Sequence, residues 1–295
     1  SLYRQVNQEY REEYDALLAS GLYTELVESA MLVRHTEAED SVPRSPGCYK
    51  ILKPELVPFI SYPAEWTFSQ LRDAALLTLR IQQAALRRDL SLKDASAFNI
   101  QFFNGKPILI DTLSFERRRE GAPWVAYRQF CEHFLAPLAL MTLADPRAGS
   151  LQRSFLDGIP LDLACTLLPG RSFFRPSLLI HLLLHSRSQR RFADAGVSSA
   201  GRGVSRVALQ GIVESLASAV NGLSWKPADA GWSAYYETCS YGGDGFQRKK
   251  AVVKRIIDDI PPRTVWDIGA NTDEFSRIAA KGTRTSAREP ASVQR

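Results

Sequence analysis

Methionine, cysteine and histidine are scarce, with two, four and four residues in a chain of 295. The cysteines, Cys48, Cys131, Cys165 and Cys239, stand far apart and form no C-x-x-C pair. That spacing argues against a zinc ribbon, a redox dithiol or a disulfide framework, and for isolated thiols in a reducing compartment. No run of about 18 apolar residues occurs, so no transmembrane helix is expected. The first residues lack the basic cluster and apolar core of a secretory signal, and a cytoplasmic protein is expected. They also lack an initiator Met, so a trimmed or partial chain is expected.

Charge excludes little. The net charge is +5 and the pI near 9.0, mild for this length. The surplus is partly gathered at Arg187, Arg190, Arg191, Arg202 and Arg206. Such a cluster reads as a solvated linker or face, and nucleic-acid binding is disfavoured. With 45% hydrophobic and 23% charged residues the chain is globular, and its length allows two domains. Nothing in the sequence sets the oligomeric state.

Periodicity predicts a helix-rich, mixed α/β chain. Residues 1–40 carry two amphipathic helical patterns, Tyr10/Tyr14/Leu17/Leu18 and Leu22/Leu26/Ala30/Val33, separated by Ala19-Ser20-Gly21. Cys48–Leu52 and Val57–Tyr62 read as short strands, and Phe68–Arg88 as a long helix free of Gly and Pro. Trp124–Leu143 is an aromatic-striped helical run carrying His133. A second apolar helix ends before Pro169-Gly170. Leu178–His185 places His181 and His185 four apart on one helical face. Two such imidazoles suit zinc, but no H-E-x-x-H glutamate and no third ligand accompany them, so helix histidines are expected and no metal site. Ser186–Ser205, rich in Ser, Arg and Gly, reads as a linker. Val207–Asn221 and Phe246–Ile260 are helical, with an aromatic cluster of Trp232, Tyr235, Tyr236 and Tyr241 between them.

Two stretches carry chemistry. In SLKDASAFNIQFFNGKPILIDTLSFE, Asp94 and Asn99 are five apart in a loop, and Asn104-Gly105 is a type I′ hairpin signal. Asp111 ends the second hairpin strand, so three oxygen-bearing side chains can converge. The arrangement resembles the catalytic loop and metal-binding Asp of protein kinases and aminoglycoside phosphotransferases. That resemblance implies Asp94 as the hydroxyl-accepting base, and Asn99 and Asp111 as magnesium ligands beside ATP. The pattern departs from that family in having Leu92-Lys93-Asp94 for His-x-Asp, no Gly after Asp111 and no Gly-rich loop upstream. Lys50 or Lys53 would serve as the phosphate lysine. The alternative reading is that Asp94 and Asn99 cap turns.

The other stretch is Thr264–Ala280, TVWDIGANTDEFSRIAA: a short apolar strand, a tight turn and a helix start. VWDIGANTDEFS resembles motif I of class I S-adenosylmethionine-dependent methyltransferases, D-x-G-x-x-x-G, with Asp273 in place of the last Gly. With SYPAEWTFSQLRDAALLTLRIQQ, GKPILIDTLSFE and PWVAYRQFCEHFLAPLALM, it makes residues 45–280 similar to bacterial methyltransferases of the NoeA-like nodulation-protein type. The resemblance implies methyl transfer from S-adenosylmethionine to an unknown acceptor. It also implies a cofactor site lined by Asp267, Gly269 and Asn271 at a helix N-terminus. A dinucleotide-binding dehydrogenase is disfavoured, because Asn271 and Glu274 stand at the G-x-G-x-x-G positions.

The final residues, KGTRTSAREPASVQR, show no apolar alternation and read as a disordered tail, out of frame or truncated. The expected organisation is therefore an N-terminal α+β, kinase-like domain over 1–185, a linker over 186–206 and a helical bridge over 207–262. Residues 263–295 would begin a truncated Rossmann-like methyltransferase domain, with weak or no catalysis by this chain alone. A non-catalytic accessory role is the third alternative.

Overall fold

The computed structural model describes residues 2–38, 43, 45–175, 178–184, 203–225, 243–268, 270, 273–282 and 293–294. The chain divides into two compact units, residues 1–225 and 226–295.

The first unit opens with a three-stranded antiparallel sheet. β1 (Arg4–Asn7) and β2 (His35–Glu37) flank β3 (Cys48–Pro54), and Val6 pairs with Lys50. α1 (Arg11–Ala19) and α2 (Leu22–Glu28) form between the strands, divided at Gly21, whose φ of 73° suits a residue without Cβ. Both expected helices are present, but shorter than predicted, and β1 and β2 were not foreseen. β1 buries Val6 alone, against Tyr14 and Leu52, too small an apolar signal to read in advance. The strand expected at Val57–Tyr62 does not form. Pro58 in its middle has no N–H for a ladder. Ser61 is held instead by the Gln101 side chain, which both accepts from its N–H and donates to its C=O at 2.9 Å.

α3 (Phe68–Leu86) is the central column. Thr67 and Gln70 close a capping box at its start, Thr67 Oγ1 accepting from the Gln70 N–H and Gln70 Oε1 from the Thr67 N–H. Its apolar face, including Leu71, Leu77 and Ile81, is fully buried. Gln82, also buried, turns outward from the helix to β4 (Leu90–Leu92), accepting from the Leu92 N–H at 2.7 Å and donating to Ser91 Oγ at 3.0 Å. A buried amide needs such partners, and here it fixes where the chain leaves the helix.

β5 (Ile100–Phe103) and β6 (Lys106–Leu109) form the expected hairpin, with Asn104 and Gly105 at φ 52° and 74° as a type I′ turn requires. β7 (Phe115–Arg117) returns to pair with β4, so that β4 and β7 bracket residues 93–114, the hairpin among them.

The aromatic-striped run forms α4 (Tyr127–Phe130), a π-helical turn (Cys131–Leu135) and α5 (Ala136–Leu143). Pro137 accounts for the wide turn. It has no N–H to offer, and the Glu132 carbonyl accepts instead from the Ile159 N–H at 2.9 Å. α6 (Leu161–Leu167) ends before Pro169-Gly170 as predicted. The helix expected over Leu178–His185 is π-helical across Leu179–Leu184; His181 is buried there and His185 lies outside the described residues. α7 (Arg206–Asn221) packs on α3, with Leu209, Val213 and Leu216 buried.

The second unit contains α8 (Gly243–Asp259), β8 (Val265–Trp266), α9 (Glu274–Gly282) and β9 (Val293–Gln294). β8 pairs in parallel with β9, Val265 opposite Val293. The tail, expected to carry no structure, thus contributes a two-residue strand. Of the linker expected over 186–206, residues 186–202 lie outside the described residues, as does the aromatic cluster at Trp232–Tyr241; Arg206 already belongs to α7.

Candidate functional site

Ser114 joins two of the three residues singled out in the first unit. The hairpin brings the Asn99 side-chain amide within 3.3 Å of Ser114 Oγ, and that hydroxyl donates to Asp111 Oδ2 at 3.0 Å. The backbone reinforces the approach, with the Ile110 N–H on the Asn99 carbonyl at 2.8 Å. Asp111 Oδ1 accepts from the Leu113 N–H at 2.9 Å, and Arg4 Nη1 reaches the same oxygen at 2.6 Å. A carboxylate with a backbone donor, a hydroxyl and a guanidinium has little capacity left for a cation.

Asp94 stands apart from that pair. Its Oδ1 accepts from the Ser96 N–H at 2.9 Å, the turn-capping arrangement considered from sequence. Its loop is anchored by Gln129, whose Oε1 accepts from the Ala95 N–H at 2.7 Å, and by the Lys93 N–H on the Ser114 carbonyl at 2.8 Å. Lys93 lies over the Tyr10 ring at 4.0 Å, and the Tyr10 hydroxyl donates to the Phe115 carbonyl. Burial raises the pKa of Tyr10, so it stays a neutral donor. Behind Asp94, His133 is buried. Desolvation lowers its pKa, partly opposed by Asp94 and Asp157.

Of the candidate phosphate lysines, Lys50 is ion-paired with Glu37. Glu37 also accepts from the Tyr14 hydroxyl at 3.2 Å, and that hydroxyl meets His35 Nε2 at 3.0 Å. His35 Nδ1 faces Thr112 Oγ1 at 3.4 Å, so this polar chain reaches the residue after Asp111. Burial lowers the His35 pKa, and Glu37 opposes the shift.

In the second unit Asp267 is half-buried at the carboxyl end of β8. Ser276, on the first turn of α9, donates its hydroxyl to Asp267 Oδ2 at 2.7 Å. The turn between strand and helix closes with the Asp273 N–H on the Ala270 carbonyl at 2.9 Å. Asp273 adopts φ 62°, the left-handed backbone that Gly takes without a Cβ penalty. Gly269 and Asn271 lie outside the described residues. Lys250 on α8 pairs with Glu274 at 2.6 Å, which lowers the Glu274 pKa.

Sequence reasoning did not find Arg4, Ser114, Gln129 or Ser276. Ser114, three residues after Asp111, carried a local side-chain turn signal; Arg4 is 107 positions away from Asp111 and carried none. Among the described residues no cluster of three His, Cys, Asp or Glu side chains could hold a metal ion. No described helix is long and apolar enough to cross a membrane.

The chain is similar to a nodulation protein. Nodulation protein NoeA of Rhizobium meliloti (strain 1021) is 33% identical over an alignment of 272 positions that covers 88% of this chain and 56% of that protein. The chain therefore spans little more than half the length of NoeA. No family profile matches the chain, and no solved structure does. With 88% of the chain aligned, the NoeA-like relationship takes in most of residues 1–225.

Proposed function

We propose that this protein, like the methyltransferases its motif resembles, transfers a methyl group from S-adenosylmethionine to an acceptor yet to be identified. In this reading residues 264–280 open the cofactor-binding domain. The observation that carries it is the Asp267 carboxylate at the end of a parallel strand, oriented by Ser276 from the helix that follows. One oxygen is held and the other is free of partners among the described residues, so it can accept the cofactor's ammonium group. The left-handed backbone at Asp273 supports the same reading, because it is the conformation favouring the Gly that ends the motif. Gly269 and Asn271 would line the methionine end, and the helix N-terminus would favour its carboxylate. Calorimetric titration of S-adenosylmethionine into the full-length gene product tests this. One saturable site, weakened at least tenfold in Asp267→Ala, is expected; absence of binding rejects the reading.

A second reading is a kinase-like phosphotransferase using ATP and magnesium. It is favoured by the convergence of Asn99 and Asp111 on Ser114, and opposed by the Arg4 guanidinium on Asp111. In this reading Asp94 is the base, and Asn99 and Asp111 are the magnesium ligands. A thermal shift with ATP and magnesium that disappears in Asp111→Ala supports it. No shift leaves the first unit as an accessory domain.

A further inference from the structure

Residues 55–62, ELVPFISY, leave β3 and hold apolar side chains out in solvent. Leu56, Phe59, Ile60 and Tyr62 are 59%, 42%, 51% and 57% exposed. Single exposed apolar residues are ordinary, but four large ones within seven positions mark an interaction surface. The stretch is neither strand nor helix, so these side chains share no helix or sheet face. They stand on a protruding loop.

The loop is pinned at both ends. At its start the Glu55 N–H donates to the Arg34 carbonyl at 2.8 Å, continuing the pairing of β2 with β3. At its end Gln101 clamps the Ser61 backbone, and the Ser61 hydroxyl accepts from Trp66 Nε1 at 2.9 Å. Such a loop loses little conformational freedom when it docks. Pro58, at its centre, has no N–H to strand in an apolar medium. Cations surround its base. Arg34 precedes β2, and Lys53 lies in β3 opposite Thr36. Arg153 lines the same small cavity as Tyr62. All three are exposed, and none makes an ion pair with a described residue. Two carboxylates, Glu55 and Glu65, stand among them, which leaves one net positive charge.

We propose that this loop attaches the first unit to the surface of an anionic lipid bilayer. Leu56, Phe59, Ile60 and Tyr62 enter the interfacial layer, and Arg34, Lys53 and Arg153 meet the headgroups. Apolar side chains at neighbouring positions of a protruding loop suit a fluid apolar phase, which receives them in any direction. A rigid protein partner would have to wrap several sides of the loop. Attachment strength then follows the buried apolar area plus the attraction of the cations to anionic lipid. Glu55 and Glu65 hold the electrostatic share to a modest one. This is attachment to a surface, in keeping with the lack of any membrane-crossing helix among the described residues. It is independent of the methyl-transfer reading, since the loop lies wholly within the first unit.

The test floats the chain with two kinds of vesicle, phosphatidylcholine alone and phosphatidylcholine mixed with phosphatidylglycerol. Binding to both is expected, about fivefold tighter to the anionic vesicles, as one net positive charge near the surface gives. The double variant Phe59→Ser, Ile60→Ser should weaken binding to both at least tenfold. The double variant Arg34→Gln, Lys53→Gln should lose the anionic preference alone. All four positions are exposed, so unchanged melting temperatures verify the fold of each variant. Phe59→Trp keeps the loop apolar and adds a reporter, whose fluorescence brominated lipid should quench beyond the level of the parent chain. Four results would overturn the assignment: no binding to either vesicle, equal affinity for both, full binding by the Phe59→Ser, Ile60→Ser variant, or no added quenching in Phe59→Trp. Self-association that this serine variant abolishes, with vesicle binding unchanged, would give the loop to a second copy of the chain instead.

Discussion

Arg4 places its guanidinium 2.6 Å from the Asp111 carboxylate, joining the first strand of the chain to the end of the central hairpin. The pair is unequal: the Arg4 side chain is 48% exposed and that of Asp111 13%. Removing the arginine leaves Asp111 with the Leu113 N–H and the Ser114 hydroxyl. Arg4→Gln should therefore cost only about 0.5–1 kcal/mol. Removing the carboxylate strands both donors, and Asp111→Ala should cost about 2 kcal/mol or more. Urea denaturation of the two variants measures the difference; equal costs would show that the ion pair alone matters.

Two glycine positions should behave differently. Gly105 and Gly158 both have left-handed φ, 74° and 97°. A Cβ at Gly105 meets nothing, so Gly105→Ala should cost about 1 kcal/mol from backbone strain. A Cβ at Gly158 would stand 2.7 Å from the Glu132 Cβ and 3.0 Å from its backbone carbon, on the π-helical turn. Gly158→Ala should cost about 3 kcal/mol or prevent folding. Thermal melts of both variants decide it.

Acid should weaken the first unit before carboxylates titrate. His133 is buried and His35 half-buried, and desolvation favours the neutral form of both, so their pKa values in the fold lie below the unfolded value of 6.5. The unfolded chain then binds more protons than the native one as pH falls below about 6.5, and stability declines with it. Above that range both states are neutral at these positions and the effect vanishes. The urea midpoint should fall between pH 7 and pH 5.5, less steeply in His133→Phe. A midpoint that rises on acidification would contradict the buried, neutral assignment.

Cys131 is buried within the π-helical turn, and burial raises its thiol pKa well above the ordinary range. Cys48 and Cys165 are half-buried. Iodoacetamide should label Cys48 and Cys165 in the native protein and spare Cys131 until denaturant is added, as peptide mapping would show.

Asp273→Gly tests the turn of the second unit. It replaces a side chain in left-handed backbone by the residue that motif I uses, and removes a negative charge from the helix start. Tighter S-adenosylmethionine binding by the full-length product is expected, measured by calorimetry. Weaker binding would mean that the Asp273 carboxylate takes part in recognition.

The sequence reading and the fold agree where local chemistry dominates. The Asn104-Gly105 turn, the uninterrupted α3 and the Pro169-Gly170 stop each state their own conformation within a few residues. Disagreements arise where distant groups decide. Val57–Tyr62 looked like a strand until Pro58 and the Gln101 clamp are considered together. The π-helical turn at Cys131–Leu135 depends on Pro137 and on an N–H from Ile159, which periodicity cannot register. For the candidate site, the sequence put Asp94, Asn99 and Asp111 together, and the structure joins only Asn99 and Asp111, through Ser114. The turn cap at Asp94 is local and was among the readings of the sequence; the link of Asn99 to Asp111 through Ser114 and the approach of Arg4, 107 positions away, were not.

Photo-crosslinking with S-adenosylmethionine carrying a tritiated methyl group tests the central claim most directly. The full-length gene product is irradiated with the labelled cofactor, digested with trypsin and mapped. The account predicts label on the peptide between Arg263 and Arg277, reduced in Asp267→Ala. Label confined to other peptides, or none above that of a denatured control, would contradict it.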